Sequence, residues 1–308
     1  GARTASCAGE LIFLFLRRKA GNFSMNYRHV FHAGNFADIL KHAIVAAIIT
    51  YLQKKDAAFR VIDTHAGLGV YDLGSEEAQK TGEWKTGIGR IAEADLSAEL
   101  RAFLAPWLNA VTEVNGGSLL PLERYPGSPL LARTLFRKQD RLSAIELHPA
   151  DAAKLSKLFA GDHQVRVTEL DGWLALGAHV PPKEKRGLVL VDPPFEKEGE
   201  FDRLVEGLDR ATTRFPGGTY CLWYPLKSDA DTAGFHEKLK ALGRPRTLVA
   251  ELWVRELTTE KGLNGSGMIV VNPPFTLADE LRKTLPELTK ILSQDGQAGF
   301  RVETLVSE

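Results

Sequence analysis

Apolar positions along the chain follow two spacings, one typical of helices and one typical of buried strands. Residues 36–55 carry apolar side chains three and four positions apart, and they follow Asn35, a residue type that favours helix N-caps. Shorter segments are apolar almost throughout, as at 59–63 and 187–191. Helices that alternate with such segments predict a mostly parallel sheet with helices on both faces.

The same two spacings continue toward the C-terminus. We predict further strands at 142–146, 164–168, 218–224, 247–254 and 266–271, and further helices at 97–114, 150–159, 200–214, 229–242 and 277–292. Residues 70–127 interrupt the alternation with a charged, glycine-rich stretch ahead of the helix at 97–114. We interpret this interruption as a helical insertion within one domain that spans residues 25–308.

The amino-acid composition and net charge limit the kinds of protein that this chain can be. An apolar fraction of 44% and a charged fraction of 25% are ordinary for a globular chain. Two cysteines, Cys7 and Cys221, provide no disulfide framework, so we expect a reducing, cytoplasmic setting. The net charge is zero, and residues 1–24 hold four basic residues and one acidic residue, which leaves the rest at −3. Any nucleic acid would therefore need a local basic patch.

Residues 1–24 differ from the rest of the chain. The segment 11–16 is apolar but too short to cross a bilayer, and its basic residues follow it, whereas a signal peptide carries them in front. We expect a disordered or non-native extension and no membrane association, with a short membrane or targeting anchor as the alternative.

The most informative turn follows the strand at 187–191 and reads Asp192-Pro193-Pro194-Phe195. Neither proline has a backbone N–H, and each favours extended geometry in the residue before it, so the chain leaves the strand rigidly. A carboxylate, free carbonyls and an aromatic face on a stiff turn suit a flat base with an exocyclic amine. The turn therefore predicts an amino-group methyltransferase, with Asp192, Pro193 and Phe195 as catalytic candidates.

A near-copy of this turn, Asn272-Pro273-Pro274-Phe275, follows the strand at 266–271. In methyltransferase sheets the last strand is antiparallel to the others, so its carboxyl end points away from the cofactor. If 266–271 is that strand, Asn272 lies on the wrong side of the sheet. We therefore favour Asp192 as the catalytic residue and keep Asn272 as the alternative.

Other predicted strand ends carry groups that suit a nucleoside. These groups are Asp63 to Gly69, Glu146 and Asp171-Gly172, and ligands of open α/β sheets bind at the carboxyl ends of strands. The glycine-containing segment can also be an ordinary turn, Glu146 a surface charge beside a helix, and Asp171 a simple helix cap. Asp72 stands where a dinucleotide fingerprint has its third glycine, so a ligand without phosphate, such as S-adenosylmethionine, fits better.

The segment 26–35 is polar and aromatic, and it contains His29 and His32. Because no carboxylate or cysteine stands at ligand spacing, we expect no metal there. Contact with substrate or cofactor and a structural cap over the sheet both stay open. Two basic groups, at 183–186 and 133–141, are either phosphate contacts or solvated surface.

Together these segments resemble the ribosomal RNA large subunit methyltransferase J family, which methylates N6 of one adenine in 23S rRNA. The matching segments are 27–38, Lys41-His42, 63–69, 125–129, 146–149, Asp171-Gly172, 192–195 and 267–274. The segments 27–38 and 125–129 are the most specific. One departure is Phe195, where the family usually has tyrosine, and this change keeps the ring but removes its hydroxyl.

The resemblance implies a Rossmann-like α/β methyltransferase core, with a mostly parallel seven-stranded sheet whose last strand is antiparallel, and a small inserted helical subdomain. The implied cofactor is S-adenosyl-L-methionine, and the implied contacts are His42, His65, Gly67, Ser128, Glu146, Asp171, Gly172 and Asp192. Tyr27 and Lys41 are implied on the RNA side. The implied partner is 23S rRNA, protein-free or in an early assembly intermediate.

In the mechanism that this family implies, Asp192 and the Pro193 carbonyl accept hydrogen bonds from the adenine amine, while Phe195 stacks on the extruded base. Two alternatives stay open. One is the same chemistry on adenine in DNA, and the other is a nucleotide-cofactor oxidoreductase built on a similar sheet.

Overall fold

In this computed structural model, the structure describes residues 28–227, 229–257 and 262–307. Their strands are β1 (Arg60–Asp63), β2 (Val70–Asp72), β3 (Arg124–Pro126), β4 (Arg141–Glu146), β5 (Val165–Glu169), β6 (Gly187–Val191), β7 (Thr219–Leu226), β8 (Thr247–Trp253), β9 (Gly265–Val271) and β10 (Gly299–Val306). Strands β2 and β3 pair with each other, and the other eight form one sheet in the order β10-β8-β9-β7-β6-β1-β4-β5.

Strand direction defines two edges of this sheet. Strands β5, β4, β1, β6 and β7 are parallel neighbours. Strand β9 lies antiparallel between β7 and β8, and β10 pairs antiparallel with β8. The carboxyl ends of the five parallel strands therefore share one edge, here called the upper edge. The carboxyl end of β9 lies at the opposite, lower edge.

Helices pack on both faces of the sheet. They are α1 (Phe36–Leu52), α2 (Glu76–Thr81), α3 (Glu83–Thr86), α4 (Ile88–Glu93), α5 (Ala98–Val114), α6 (Ser128–Leu135), α7 (Pro149–Leu158), α8 (Gly172–Ala178), α9 (Glu200–Arg214), α10 (Asp229–Leu242) and α11 (Leu277–Leu292), after a 3-10 turn at His29–Phe31. One hydrophobic core includes α1, α5 and α11, and a second includes α8, α9 and α10.

Helix α1 carries polar side chains into the interior of the protein. The Asn35 side chain accepts from the backbone N–H groups of Ala37 and Asp38, which caps the helix as predicted. The helix is then buried on almost all sides, so Lys41 and His42 are buried as well. Buried polar side chains need hydrogen-bond or charge partners, and the partners of the α1 side chains lie near the upper edge of the sheet.

The mostly parallel sheet is confirmed, but it has eight strands rather than seven. The additional strand is β10, which follows the last predicted helix and pairs at the edge of the sheet. None of its residues is fully buried, so this edge strand has no unbroken apolar run and offers little signal in the sequence. Strand β9, which covers the predicted strand at 266–271, is antiparallel as expected.

Residues 70–127 contain β2, β3 and α2 to α5, and the pairing of β2 with β3 brings the ends of this segment together. Leu104 and Trp107 of α5 are fully buried in the core that α1 shares. The description of this segment as an insertion within one domain stays an interpretation. Among the helices of the described residues, none is long and apolar enough to cross a membrane.

Candidate active site

A cavity of about 500 Å³ opens at the upper edge of the sheet. The predicted residues in its wall are Lys41, His42, His65, Gly67, Ser128, Glu146, Asp171, Gly172, Asp192 and Pro193. These residues come from α1, from α6 and from the ends of several parallel strands. The structure therefore brings together at one site the groups that the sequence placed at separate strand ends.

The turn after β1 meets the end of β4. The Gly67 N–H donates to Glu146 Oε2 at 2.8 Å, and the His148 N–H donates to Glu146 Oε1 at 2.7 Å. Gly67 has a φ of +63°, and a Cβ there would lie 2.3 Å from the Tyr71 hydroxyl oxygen. The Glu146 carboxylate is thus held by two backbone donors and keeps lone pairs for a ligand. Burial raises the pKa of Glu146.

The start of α8 forms the next part of the wall. Asp171 Oδ1 accepts from the Trp173 N–H at 2.8 Å, which caps this helix. A Cβ on Gly172 would lie 2.2 Å from the Thr64 carbonyl oxygen, so only glycine permits this approach. The His65 ring packs edge-to-face against Trp173, and burial lowers the pKa of His65 to about 4. His65 is therefore neutral near pH 7.

Asp192 is paired with a buried lysine. Lys41 Nζ lies 2.5 Å from Asp192 Oδ2 and 2.8 Å from Asp38 Oδ1, and the Lys41 side chain is 4% exposed. Burial lowers the pKa of Lys41, but the two carboxylates outweigh burial and raise it above its usual value. The ammonium ion therefore persists and orients the Asp192 carboxylate. The charge of Lys41 is thus shared between two carboxylates, and its implied contact with RNA stays a prediction.

Asp38 connects this pair to the N-terminal segment. Its Oδ2 atom accepts from the Gly34 N–H at 2.9 Å and lies 3.0 Å from His29 Nε2. Burial raises the pKa of Asp38, whereas His29 and Lys41 lower it, and the pKa ends well below its usual value. In the sequence, Asp38 stands three residues after the predicted N-cap Asn35, in the first turn of α1. Its second role depends on contacts that only the fold creates.

The N-terminal segment closes one side of the cavity. Arg28 and His29 line it, while His32 is hydrogen-bonded to Glu83 at 3.0 Å. The predicted RNA contact Tyr27 and the extension at 1–24 lie outside the described residues. In the described ranges, no group of three or more histidine, cysteine, aspartate or glutamate side chains has the arrangement of a metal site.

Two further predicted cofactor contacts are held by buried partners. His42 Nδ1 lies 2.8 Å from the Tyr125 hydroxyl with the rings stacked, and burial lowers the pKa of His42 to about 3. Ser128 Oγ lies 2.6 Å from Asp63 Oδ2. Tyr125 and Ser128 both belong to the segment 125–129, so this segment supports the cavity wall from the side of α6.

Phe195 is not brought into the cavity. Its ring lies 5.0 Å from the Phe201 ring and 5.7 Å from the Trp223 ring, centroid to centroid, while Asp192 and Pro193 line the cavity. Its φ of +51° turns the chain at this point. Stacking of Phe195 on a base stays a prediction.

The second copy of the turn lies at the lower edge, as the direction of β9 requires. Asn272 Nδ2 donates to the carbonyl oxygens of Pro216 and Gly218 at 2.9 and 2.7 Å, and Asn272 Oδ1 accepts from Arg246 at 2.7 Å. All the polar groups of this side chain are thus engaged with the protein. Asn272 therefore supports the turn rather than a ligand.

Arginines of the two basic groups also have structural partners. Arg137 pairs with Asp140, and Arg186 donates to the Ala57 carbonyl oxygen at 2.7 Å. Arg133 pairs with Asp162 at 2.5 Å. For these three arginines the structure favours a role in holding the fold over phosphate binding.

Arg203 and Trp173 also line the cavity, although the sequence patterns did not indicate them. The Arg203 guanidinium lies 4.7 Å from the centre of the Trp173 ring, and both side chains line the cavity. Arg203 lies within the predicted helix at 200–214, and Trp173 directly follows the Asp171-Gly172 pair, but no motif marked either residue. Their pairing depends on the packing of α8 against α9.

Comparisons with known proteins give matches over most of the chain. The family model described as "Ribosomal RNA large subunit methyltransferase D, RlmJ" matches residues 56–306. Two curated proteins named ribosomal RNA large subunit methyltransferase J, from Haemophilus influenzae and Escherichia coli, are 40% and 42% identical to this chain. Each comparison covers 92% of this chain and 100% of the relative.

A solved structure supports the fold. The crystal structure of a Legionella pneumophila protein is 33% identical and has a TM-score of 0.80, covering 89% of this chain and 98% of its own. The family match and the curated relatives extend over most of the chain. The chain therefore belongs to the ribosomal RNA large subunit methyltransferase J family.

Proposed function

We propose that this protein transfers a methyl group from S-adenosylmethionine to N6 of one adenine in 23S rRNA. The observation that carries the proposal is the location of Asp192 and Pro193 in the same cavity as Glu146 and Asp171. Family membership supports a ribosomal RNA substrate. It leaves the oxidoreductase alternative without support, and no observation favours DNA.

The cavity residues fit the proposed cofactor. Gly67 and Gly172 lie in the cavity wall, and a Cβ on either would collide with the protein, at the Tyr71 hydroxyl and at the Thr64 carbonyl oxygen. Neither residue therefore places a side chain in the space proposed for the nucleoside. Glu146 and Asp171 offer carboxylate oxygens to ribose hydroxyls and an adenine amine. The sulfonium group of the cofactor is a cation, and it supplies an electrophilic methyl group when bound. We assign to this cofactor the contacts that the resemblance implied.

The chain's own groups make the amine reactive. The lone pair of adenine N6 is delocalised into the ring, so this nitrogen is a poor nucleophile. Asp192 and the Pro193 carbonyl would accept hydrogen bonds from the amine and favour a pyramidal nitrogen. Lys41 holds Asp192 in one orientation through a 2.5 Å contact. Positioning and electrostatics would then supply most of the rate.

Tyr27 and Phe195 are proposed on the RNA side of the reaction. The proposed substrate is protein-free 23S rRNA or an early assembly intermediate in the cytoplasm. Because the chain outside residues 1–24 carries a net charge of −3, RNA binding should depend on local contacts around the cavity rather than on overall charge.

Mass spectrometry of 23S rRNA tests this function. Unmodified 23S rRNA is incubated with S-adenosylmethionine and either the wild-type protein or Asp192→Asn, with genomic DNA as a parallel substrate. The proposal expects N6-methyladenine at one position of the rRNA with the wild-type protein. It expects at least about a hundredfold less with the variant. Methylation of DNA alone, or equal methylation by the variant, would contradict the proposal.

A further inference from the structure

Asp63 is a buried carboxylic acid directly behind the cavity wall. It ends β1 and is 1% exposed. Its Oδ2 atom accepts from the Ser128 hydroxyl at 2.6 Å, and its Oδ1 atom accepts from the His65 backbone N–H at 3.4 Å. In the part of the chain that the structure describes, no basic side chain forms an ion pair with it. Burial favours the neutral form of this carboxyl group, whereas the two hydrogen bonds that it accepts favour the ionised form.

Ser128 connects Asp63 to the cavity, and its hydroxyl has only one proton to donate. When Asp63 is ionised, it accepts this proton, and Ser128 can offer only lone pairs to a ligand. When Asp63 carries a proton, it donates to Ser128 Oγ, and the Ser128 hydroxyl is free to donate into the cavity. The protonation of Asp63 therefore decides which kind of ligand group Ser128 can bind.

The amino-acid end of the cofactor suits this part of the wall. Glu146 and Asp171 present acceptor oxygens, which match the hydroxyls and amine of the nucleoside end. Ser128 is the first residue of α6, an eight-residue helix, and a helix N-terminus favours an anion. The anionic group of S-adenosylmethionine is its carboxylate. This carboxylate needs a hydrogen-bond donor. The Ser128 hydroxyl cannot donate to it while it donates to an ionised Asp63.

We propose that Asp63 is a positioning residue that takes up one proton when the cofactor binds and thereby turns the Ser128 hydroxyl toward the cofactor carboxylate. The proton comes from the buffer and ends on Asp63, and no bond between heavy atoms changes. This inference rests on the proposed function, because it requires S-adenosylmethionine in the cavity.

Charged neighbours set the pH range of the effect. The pKa of Asp63 is raised to about 7: burial and the Asp192 carboxylate raise it, whereas the hydrogen bonds from Ser128 and from the His65 backbone N–H, together with the Lys41 ammonium, oppose the rise. Asp63 in the free protein is then mainly ionised at about pH 8 and mainly protonated at about pH 5.5. Binding should therefore take up close to one proton at the higher pH and little at the lower pH.

Calorimetry of S-adenosylhomocysteine, which has the same carboxylate, tests the proposal. Binding enthalpies in buffers of different ionisation enthalpy report the number of protons taken up. The comparison uses wild type, Asp63→Asn and the exposed control Asp95→Asn. In Asp63→Asn, the amide N–H can donate to Ser128 as the protonated acid would, so this variant should bind without the extra proton. Any uptake by the ligand's own amine is common to all three proteins.

The expected result is an uptake at about pH 8 that is greater by close to one proton in wild type and Asp95→Asn than in Asp63→Asn, with no difference at about pH 5.5. Equal uptake at pH 8, or a folded Asp63→Asn that no longer binds the ligand, would overturn the inference. If the wild-type protein binds no S-adenosylhomocysteine, the proposed function fails instead, and the inference fails with it.

A second measurement needs no variant. Infrared difference spectra of the wild-type protein at about pH 8 should gain the C=O stretch of a protonated carboxyl group when S-adenosylhomocysteine binds. Absence of this band would also overturn the inference. This readout keeps the proposal testable if Asp63→Asn does not fold.

Discussion

At the scale of single residues, the site depends on buried polar side chains with partners far away in the chain. Lys41 and Asp192 are 151 positions apart in sequence and are joined by a 2.5 Å contact. A buried charge is tolerated only with such a partner, so removing either member of this pair would destabilise the fold. The catalytic proposal and the folding of α1 are therefore linked.

Lys41→Met tests this link. The substitution keeps most of the apolar stem and removes the ammonium ion, leaving Asp38 and Asp192 without it. We expect the free energy of unfolding to fall by about 3 kcal/mol, as when one partner of a buried ion pair is removed. We also expect kcat to fall at least about tenfold, because Asp192 loses its orientation. Urea denaturation and methyl transfer to rRNA measure the two effects.

The matched control is Lys290→Met, which changes an exposed lysine on α11 and should leave both quantities near wild type. A folded Lys41→Met with unchanged kcat would show that Asp192 does not depend on this ammonium ion.

Phe195 is the residue whose proposed role and observed position differ most. Its ring packs with Phe201 and Trp223 rather than in the cavity wall. Phe195→Leu should leave S-adenosylhomocysteine affinity unchanged, because the ring lies outside the cavity. It should lower kcat/KM for RNA about tenfold, because stacking on the base is lost. Phe195→Tyr is the control that keeps an aromatic ring. Unchanged kcat/KM in the leucine variant would limit Phe195 to packing.

At the scale of elements, strand direction gives two nearly identical turns different roles. Both Asp192 and Asn272 follow an apolar strand and precede two prolines and a phenylalanine. Strand β6 is parallel to β1, so Asp192 lies at the upper edge, whereas antiparallel β9 carries Asn272 to the lower edge. The local chemistry of the turn is therefore not sufficient for catalysis.

Asn272→Ala should leave kcat unchanged and lower the free energy of unfolding by about 1–3 kcal/mol. The expected loss has two causes. Two backbone carbonyls lose their side-chain donor, and a φ of +53° is less favourable for alanine than for asparagine. Denaturant titration measures the stability.

A double variant tests directly whether the second copy of the turn can replace the first. Asp192→Asn combined with Asn272→Asp places the Asp-Pro-Pro-Phe sequence at the lower edge only, and it should stay as inactive as Asp192→Asn alone. Recovery of methyl transfer in the double variant would contradict the assignment of Asp192.

At the scale of the whole molecule, a buried charge attaches the eighth strand to the sheet. Glu251 on β8 is 0% exposed, accepts from the Tyr224 hydroxyl at 2.7 Å, and has Arg301 of β10 at 3.1 Å. His236 of α10 lies 3.4 Å from the same carboxylate. An edge strand with little buried apolar surface is thus held by an ion pair and by its backbone pairing with β8.

Arg301→Met should lower the free energy of unfolding by about 3 kcal/mol, because Glu251 stays buried without its arginine partner. It should leave kcat unchanged, since β10 lies at the far edge of the sheet from β1 and β4, where the cavity opens. Thermal or urea denaturation alongside rRNA methylation gives both values.

Arg282→Met, which removes an exposed arginine paired with Asp279, is the control and should lower the free energy of unfolding by less than about 1 kcal/mol. A drop in kcat for Arg301→Met would connect β10 to the active site.

Prediction from sequence succeeded where the signal is local. Helix α1 and strand β6 were predicted because their apolar spacing is set by backbone periodicity. The strand-end groups Glu146 and Asp171 were predicted because glycines and carboxylates at strand ends have a recognisable chemistry. Strand β10 was missed because an edge strand without a buried face carries no such periodicity.

The sequence by itself determined the class of fold, the order of most elements and the chemistry that the upper-edge turns can support, because these depend on residues close together in the chain. Only the tertiary structure decided that Lys41 pairs with Asp192, that Ser128 meets Asp63, and that Phe195 packs away from the cavity. The reason is physical: the free energy of a buried polar or aromatic contact depends on the distance and burial of both partners. Those quantities exist only once distant segments have packed together.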